Sequence, residues 1–200
     1  LRVDKLPASP LAARGTLELR DGSFQFENLP EPLSGATLRL VVSGDTLRLQ
    51  EFSGQIGDSP LRATGFVVGA LQPARAAYDL NLAARGLDLA RLARFAPLPA
   101  GTTLSGRATF EVRARGRVAR QDSVFVEGPV TLSGVEVRTP QLLQPVRIDA
   151  SLQGTGDFLR IVEARVRAGT SELALTGALW PALPPRHPRL ALQGRSARLD

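Results

Sequence analysis

The feature that most constrains this chain is a stretch that occurs twice. Residues 44–88 read GDTLRLQEFSGQIGDSPLRATGFVVGALQPARAAYDLNLAARGLD, and they return as residues 156–200 at a constant offset of 112 with no gap. Sixteen of the 45 aligned positions are identical. Gly44, Gly57 and Gly65 recur as Gly156, Gly169 and Gly177, and Leu47, Leu61, Leu80 and Leu87 as Leu159, Leu173, Leu192 and Leu199. Turn formers and alternating leucines repeat most, as one supersecondary unit used twice should. A chain that ends with its second copy is expected to be a segment of a longer array.

Within each copy the hydrophobic period is two. Leu17 and Leu19 alternate with Thr16, Glu18 and Arg20, and Leu38 and Leu40 with Thr37 and Arg39. Leu47 and Leu49 flank Arg48, and Tyr78, Leu80 and Leu82 flank Asp79 and Asn81. Asp21-Gly22 predicts a two-residue hairpin with Phe24 and Phe26 on its return strand. Gly57-Asp58-Ser59-Pro60 predicts a turn before a strand through Leu61. Further strands are predicted through Phe110 and Val112, Val124–Glu127, Val130–Leu132, Val135–Val137, Val146–Leu152, Leu159 and Ile161, Leu173 and Leu175, and Leu190 and Leu192. Gly128, Gly134, Gly156 and Gly169 are the turns expected between them. About a dozen strands with one apolar and one polar side argue an antiparallel sheet. One segment has helical spacing: Leu87, Leu89, Leu92, Ala93 and Phe95, with Asp88 as N-cap and Pro97 as stop, predict a short helix over 88–96.

The expected organisation is a linker over 1–14, a first β-unit over 15–97 ending in that helix, and a second over 98–200, truncated before its own helix. The fold class is mainly β: a curled, open antiparallel sheet of repeated units with one short helix between them. A closed sandwich has a fixed strand number, whereas copying a unit end to end gives a quasi-one-dimensional body.

Several chemistries are disfavoured by composition. With no cysteine there is no disulfide, thiolate metal site or catalytic thiol. The carboxylates are scattered singly, without metal-ligand spacing. His187, the sole histidine, sits in a proline-rich connector, where neither an orienting partner nor a nucleophile is at hand. Ser59 belongs to a Gly-Asp-Ser turn whose second copy reads Gly169-Thr170-Ser171, so turn formation explains it. Gly154-Thr155-Gly156-Asp157 lacks the third glycine and following helix of a phosphate loop and predicts a hairpin. Neither an enzyme nor a cofactor or metal site is expected. The net charge is +6, and Lys5 is the sole lysine among 25 basic residues. Arg107, Arg113, Arg115, Arg117 and Arg120 cluster, as do Arg160, Arg165 and Arg167, but without aromatics to stack bases. A solvated sheet face is favoured, with lipid head groups or an anionic membrane second and nucleic acid third.

The apolar side is the candidate site. If the sheet curls without closing, Leu17, Leu19, Phe24, Phe26, Leu38, Leu40, Leu47, Leu49, Leu61, Tyr78, Leu80 and Leu82 line a trough. Phe110, Val112, Leu159, Ile161, Leu173, Leu175, Leu190 and Leu192 continue it. A trough without polar partners suits phospholipid acyl chains, at about 0.8 kcal/mol per buried methylene. The rival expectation is a structural β-repeat that packs this side shut and scaffolds a protein partner.

The order of motifs resembles the AsmA-like family of Gram-negative bacteria and its TamB-like relatives. The matching stretches are Gly44–Gly65, Tyr78–Leu92 and Leu98–Gly116, with the second copy at 156–200. The resemblance implies an inner-membrane helix upstream, a long periplasmic β-groove, and a role in moving phospholipid between the two membranes or in envelope assembly with other envelope proteins. No nucleic-acid partner is expected, since the arginine clusters lack stacking aromatics.

Overall fold

A period of two leaves a strand no choice of face: successive side chains point to opposite sides. In the computed structural model, which describes residues 2–4, 12–25, 31–93, 98–156, 158–180 and 189–198, that pattern forms one twelve-stranded sheet. Its strands are β1 (Arg2–Asp4), β2 (Ala12–Phe24), β3 (Leu33–Gly44), β4 (Thr46–Ile56), β5 (Ser59–Val68) and β6 (Ala77–Asp88). After α1 (Leu89–Leu92) come β7 (Thr103–Arg117), β8 (Arg120–Arg138), β9 (Val146–Gly156), β10 (Leu159–Ala168), β11 (Ser171–Trp180) and β12 (Arg189–Arg198). Spatial order equals chain order and every pairing is antiparallel: an open meander in which β1 and β12 never meet.

The repeat is visible in the register. Leu40 faces Leu49, Leu49 faces Gly65, and Gly65 faces Leu80. The second copy pairs Leu152 with Ile161, Ile161 with Gly177, and Gly177 with Leu192, each at the 112 offset. Even the irregularities recur. Gln50 is an extra residue of β4 opposite Arg39–Leu40, and Val162 is an extra residue of β10 opposite Ser151–Leu152. Each bulge resets the alternation, so that Phe52 and Ala164 return to the side of Leu49 and Ile161.

Four expectations are corrected. Asp21-Gly22 makes no hairpin: β2 runs through it with a register shift between Leu19 and Gly22, and Asp21 takes a left-handed conformation (φ 57°). The dipeptide supplied the positive φ of a bulge instead of a turn, and Phe24 stays on β2, while Phe26 lies outside the described residues. Gly128 and Gly134 are likewise not turns but lie inside the single 19-residue β8. Gly134 also has φ 57° and sits in the register shift between Leu132 and Val135, the counterpart of the Asp21 bulge. Residues 1–14 are not all linker, since Arg2–Asp4 pair with Ala12–Arg14. The helix is shorter than expected. Asp88 does cap it, its carboxylate accepting from the Ala90 N–H at 2.9 Å, but helical structure ends at Leu92, and residues 94–97 lie outside the described part.

Among the described residues no second layer covers the sheet, and burial shows it. The accessible surface is 13530 Å², against roughly 9,100 Å² expected for a compact chain of 21.3 kDa. Two small clusters of buried side chains lie on the apolar side. Leu33, Ala36 and Ile56 pack with Phe24, Phe52 and Leu61. Ala150, Leu152 and Ala164 pack with Val130, Leu132, Ile148, Leu159, Ile161 and Leu175.

Gly65 and Gly177 hold φ 142° and 157° in equivalent places, where a Cβ would run into the carbonyl oxygens of Asp79 and Ala191. Gly65→Ala and Gly177→Ala should each destabilise the chain by about 2–4 kcal/mol. Gly35→Asn, at φ 57° with open space around it, should change stability by less than about 1 kcal/mol. Urea denaturation distinguishes these outcomes; equal small shifts at all three positions would contradict the shared kink.

Candidate functional site

Directly opposed residues of antiparallel strands share a face, so the register locates every candidate. Leu17, Leu40, Leu49, Gly65, Leu80, Ala114, Val126 and Gly156 form one row across eight strands. Leu19, Leu38, Phe52, Ala63, Leu82 and Val112 form the next. A third runs Leu61, Ala84, Phe110, Val130, Leu152, Ile161, Gly177 and Leu192. Val42, Leu47, Val67 and Tyr78 align, as do Leu159, Leu179 and Leu190, and Val135, Ile148, Val166 and Leu173. Leu175 lies in line with Ala164 and Ala150. Phe24 faces Leu33. Every predicted lining residue except Phe26, which lies outside the described part, therefore shares one side.

The sequence reading named the large side chains and missed the small ones that separate them. Ala63, Ala84, Ala108, Ala114, Ala150 and Ala164 lie in the same rows and hold the large residues apart. Gly65 stands between Leu49 and Leu80. Phe52 was also missed, because only the Gln50 bulge brings it to this side. The signal was present as two consecutive polar residues, Gln50 and Glu51, inside an alternating run.

This side is only half covered. Most of its leucines are of intermediate exposure, and Leu17, Leu190 and Leu192 are 55%, 56% and 44% exposed. It is best covered near α1. There Leu87, Ala84, Ala108 and Ile56 are buried, and so is Ser59, whose hydroxyl donates to the Gly86 carbonyl at 3.3 Å. Arg91 of α1 pairs with both Asp88 and Glu31. Glu31 precedes β3, three strands from β6, a separation of about 14 Å in a flat sheet. The helix and the neighbouring turns thus converge over one end of the apolar side.

The opposite side is a lattice of arginines and carboxylates. Arg113 donates to both carboxylate oxygens of Asp79, at 2.7 and 2.5 Å. Arg115 meets Glu127 at 2.5 Å, and Glu136 takes Arg138 at 2.7 Å and Arg147 at 3.0 Å. Arg167 pairs with Glu172, and Arg39 with Glu18. Exposed pairs of this kind add little stability singly. Their effect is on register, since a slip would set like charges opposite one another. Hydrogen bonds from Arg113 hold the Asp79 carboxyl below its ordinary range, and those from Arg138 and Arg147 do the same for Glu136. Two depressions on this side, one between Arg62, Glu111 and Thr131 and one between Asp149, Glu163 and Arg165, are gaps between charged side chains.

Among the described residues no three potential metal ligands come together, and no helix is long and apolar enough to cross a membrane. His187 lies outside the described part. No protein-family model, curated protein or solved structure matches the chain.

The carboxylate shifts carry a sign. A carboxyl depressed in the folded state stabilises the fold above its ordinary pKa, and that contribution is lost as pH falls through the folded value. Stability should therefore be flat from neutrality to about pH 4.5 and decline below it. Asp79→Asn should remove part of the decline. Urea midpoints against pH test this; a decline already complete at pH 6, or unchanged in Asp79→Asn, would contradict it.

Proposed function

We propose that this chain is a segment of a periplasmic lipid-transfer bridge, and that its apolar side carries phospholipid acyl chains between the inner and outer membranes or during envelope assembly. The observation that supports this is the continuity of that side. Aliphatic rows cross up to eight strands without a charged residue and without a covering layer among the described residues. A soluble monomer does not normally leave a patch of that extent bare. A cargo that needs length, low polarity and no fixed partners fits it, and an acyl chain has all three properties. The glycine kinks and bulges provide the bending that lets an open sheet curl around such a cargo. Because the register repeats at a fixed offset, further copies would lengthen the trough without changing its chemistry.

The test sets two neighbouring residues against each other. Leu80→Glu places a charge in the trough, where bound acyl chains would leave it without water or partners, whereas Asn81→Glu places it on the solvated side. Mass spectrometry of lipids co-purifying with the protein should find at least a tenfold loss in folded Leu80→Glu and wild-type levels in Asn81→Glu. Circular dichroism reports folding. Retained lipid in folded Leu80→Glu, or equal losses in both, would overturn the proposal in favour of a scaffold whose apolar side is covered by protein.

A further inference from the structure

The polar side carries an apolar interruption that the trough does not use. Arg48, Phe66, Asp79, Arg115 and Phe125 lie in one row across β4 to β8. Phe66 and Phe125 are 38% and 45% exposed, and Val68, in the next row with Ala77 and Arg117, is exposed as well. The phenylalanines stand three strands apart, about 14 Å. Each has an arginine directly opposite: Arg48 faces Phe66 and Arg115 faces Phe125.

The repeat provides an internal control. At the 112 offset Phe66 corresponds to Ala178 and Asp79 to Ala191, within the same backbone register. The unit folds without an aromatic or an acid at these places, so folding does not require them. The local charge is also uneven. Asp79 and Glu127 are engaged by Arg113 and Arg115. Arg48 and Arg117 form no ion pair among the described residues.

We infer that this patch docks an acidic amphipathic segment of a partner protein, whose apolar side chains seat on Phe66, Val68 and Phe125 and whose carboxylates meet Arg48 and Arg117. Charge complementarity selects the partner: bare aromatics beside unpaired arginines attract acid and repel base. Phenylalanine and arginine are also the residue types that anchor interfaces. An anionic membrane is the weaker fit, because two of the four arginines are already neutralised and polybasic lipid recognition uses clusters of about four to eight free cations.

The test uses the whole chain and an 18-residue helical peptide of Glu and Leu as probe. A Lys/Leu peptide, a scrambled Glu/Leu peptide and phosphatidylglycerol vesicles serve as comparisons. Fluorescence anisotropy should show saturable binding of the Glu/Leu helix alone. Affinity should fall at least tenfold in Phe66→Ser/Phe125→Ser and in Arg48→Glu/Arg117→Glu, both folded by circular dichroism. It should be unchanged in Leu80→Glu, which alters the trough and not the patch. The inference is overturned if the Glu/Leu helix does not bind or binds no better than the other peptides. Unchanged affinity in both double variants, loss in Leu80→Glu, or vesicle binding that depends on these residues in place of peptide binding would overturn it equally.

Discussion

A sheet with one apolar and one charged side has a surface that water disfavours, and its fold must either cover that surface or find something else to do so. Here no second layer lies over it among the described residues. Most of the molecule's other features follow from that constraint. Stability must come from backbone pairing and from neighbours within the layer, so the burial is shallow and confined to clusters such as Leu33–Ile56 and Leu152–Ala164. Glycines bend the strands where a Cβ would strike the neighbouring backbone. The charged lattice on the other side keeps each strand in the register that holds all the leucines together.

Repetition solves a second difficulty of such a sheet, which is growth. A unit whose last strand pairs like the last strand of the preceding unit can be extended without redesign. The bulges at Gln50 and Val162 and the kinks at Gly65 and Gly177 show how literal the copying is: the irregularities recur along with the strands. The places where copies differ are then informative about something other than folding. The Phe66 and Asp79 positions, alanine in the second copy, mark one such difference.

Much of this was legible in the amino-acid order. The offset of 112 fixed the unit, the period of two fixed the layer, and the leucines named their own side. What failed was the interpretation of special backbone geometry. Asp-Gly and isolated glycines signal positive φ, but positive φ serves a bulge as well as a turn, and sequence alone does not separate the two. Asp21 and Gly134 were therefore assigned to turns when both lie within continuous strands. The small residues of the apolar rows were missed for a different reason: alanine carries little hydrophobic signal, and its contribution depends on the large neighbours across the sheet. The length of α1 was overestimated because apolar spacing continued beyond Leu92 while the capping interactions secured only its start.

The central claim is that one side of this single layer is an acyl-chain surface and the other is not. Photo-crosslinking tests it most directly, with benzoylphenylalanine placed in turn at residues 47, 48, 49, 79, 80, 81 and 82 of the protein in living cells. Lipid adducts should form at 47, 49, 80 and 82 and be absent at 48, 79 and 81, following the pleat. Adducts at neither set, or at both without alternation, would contradict it.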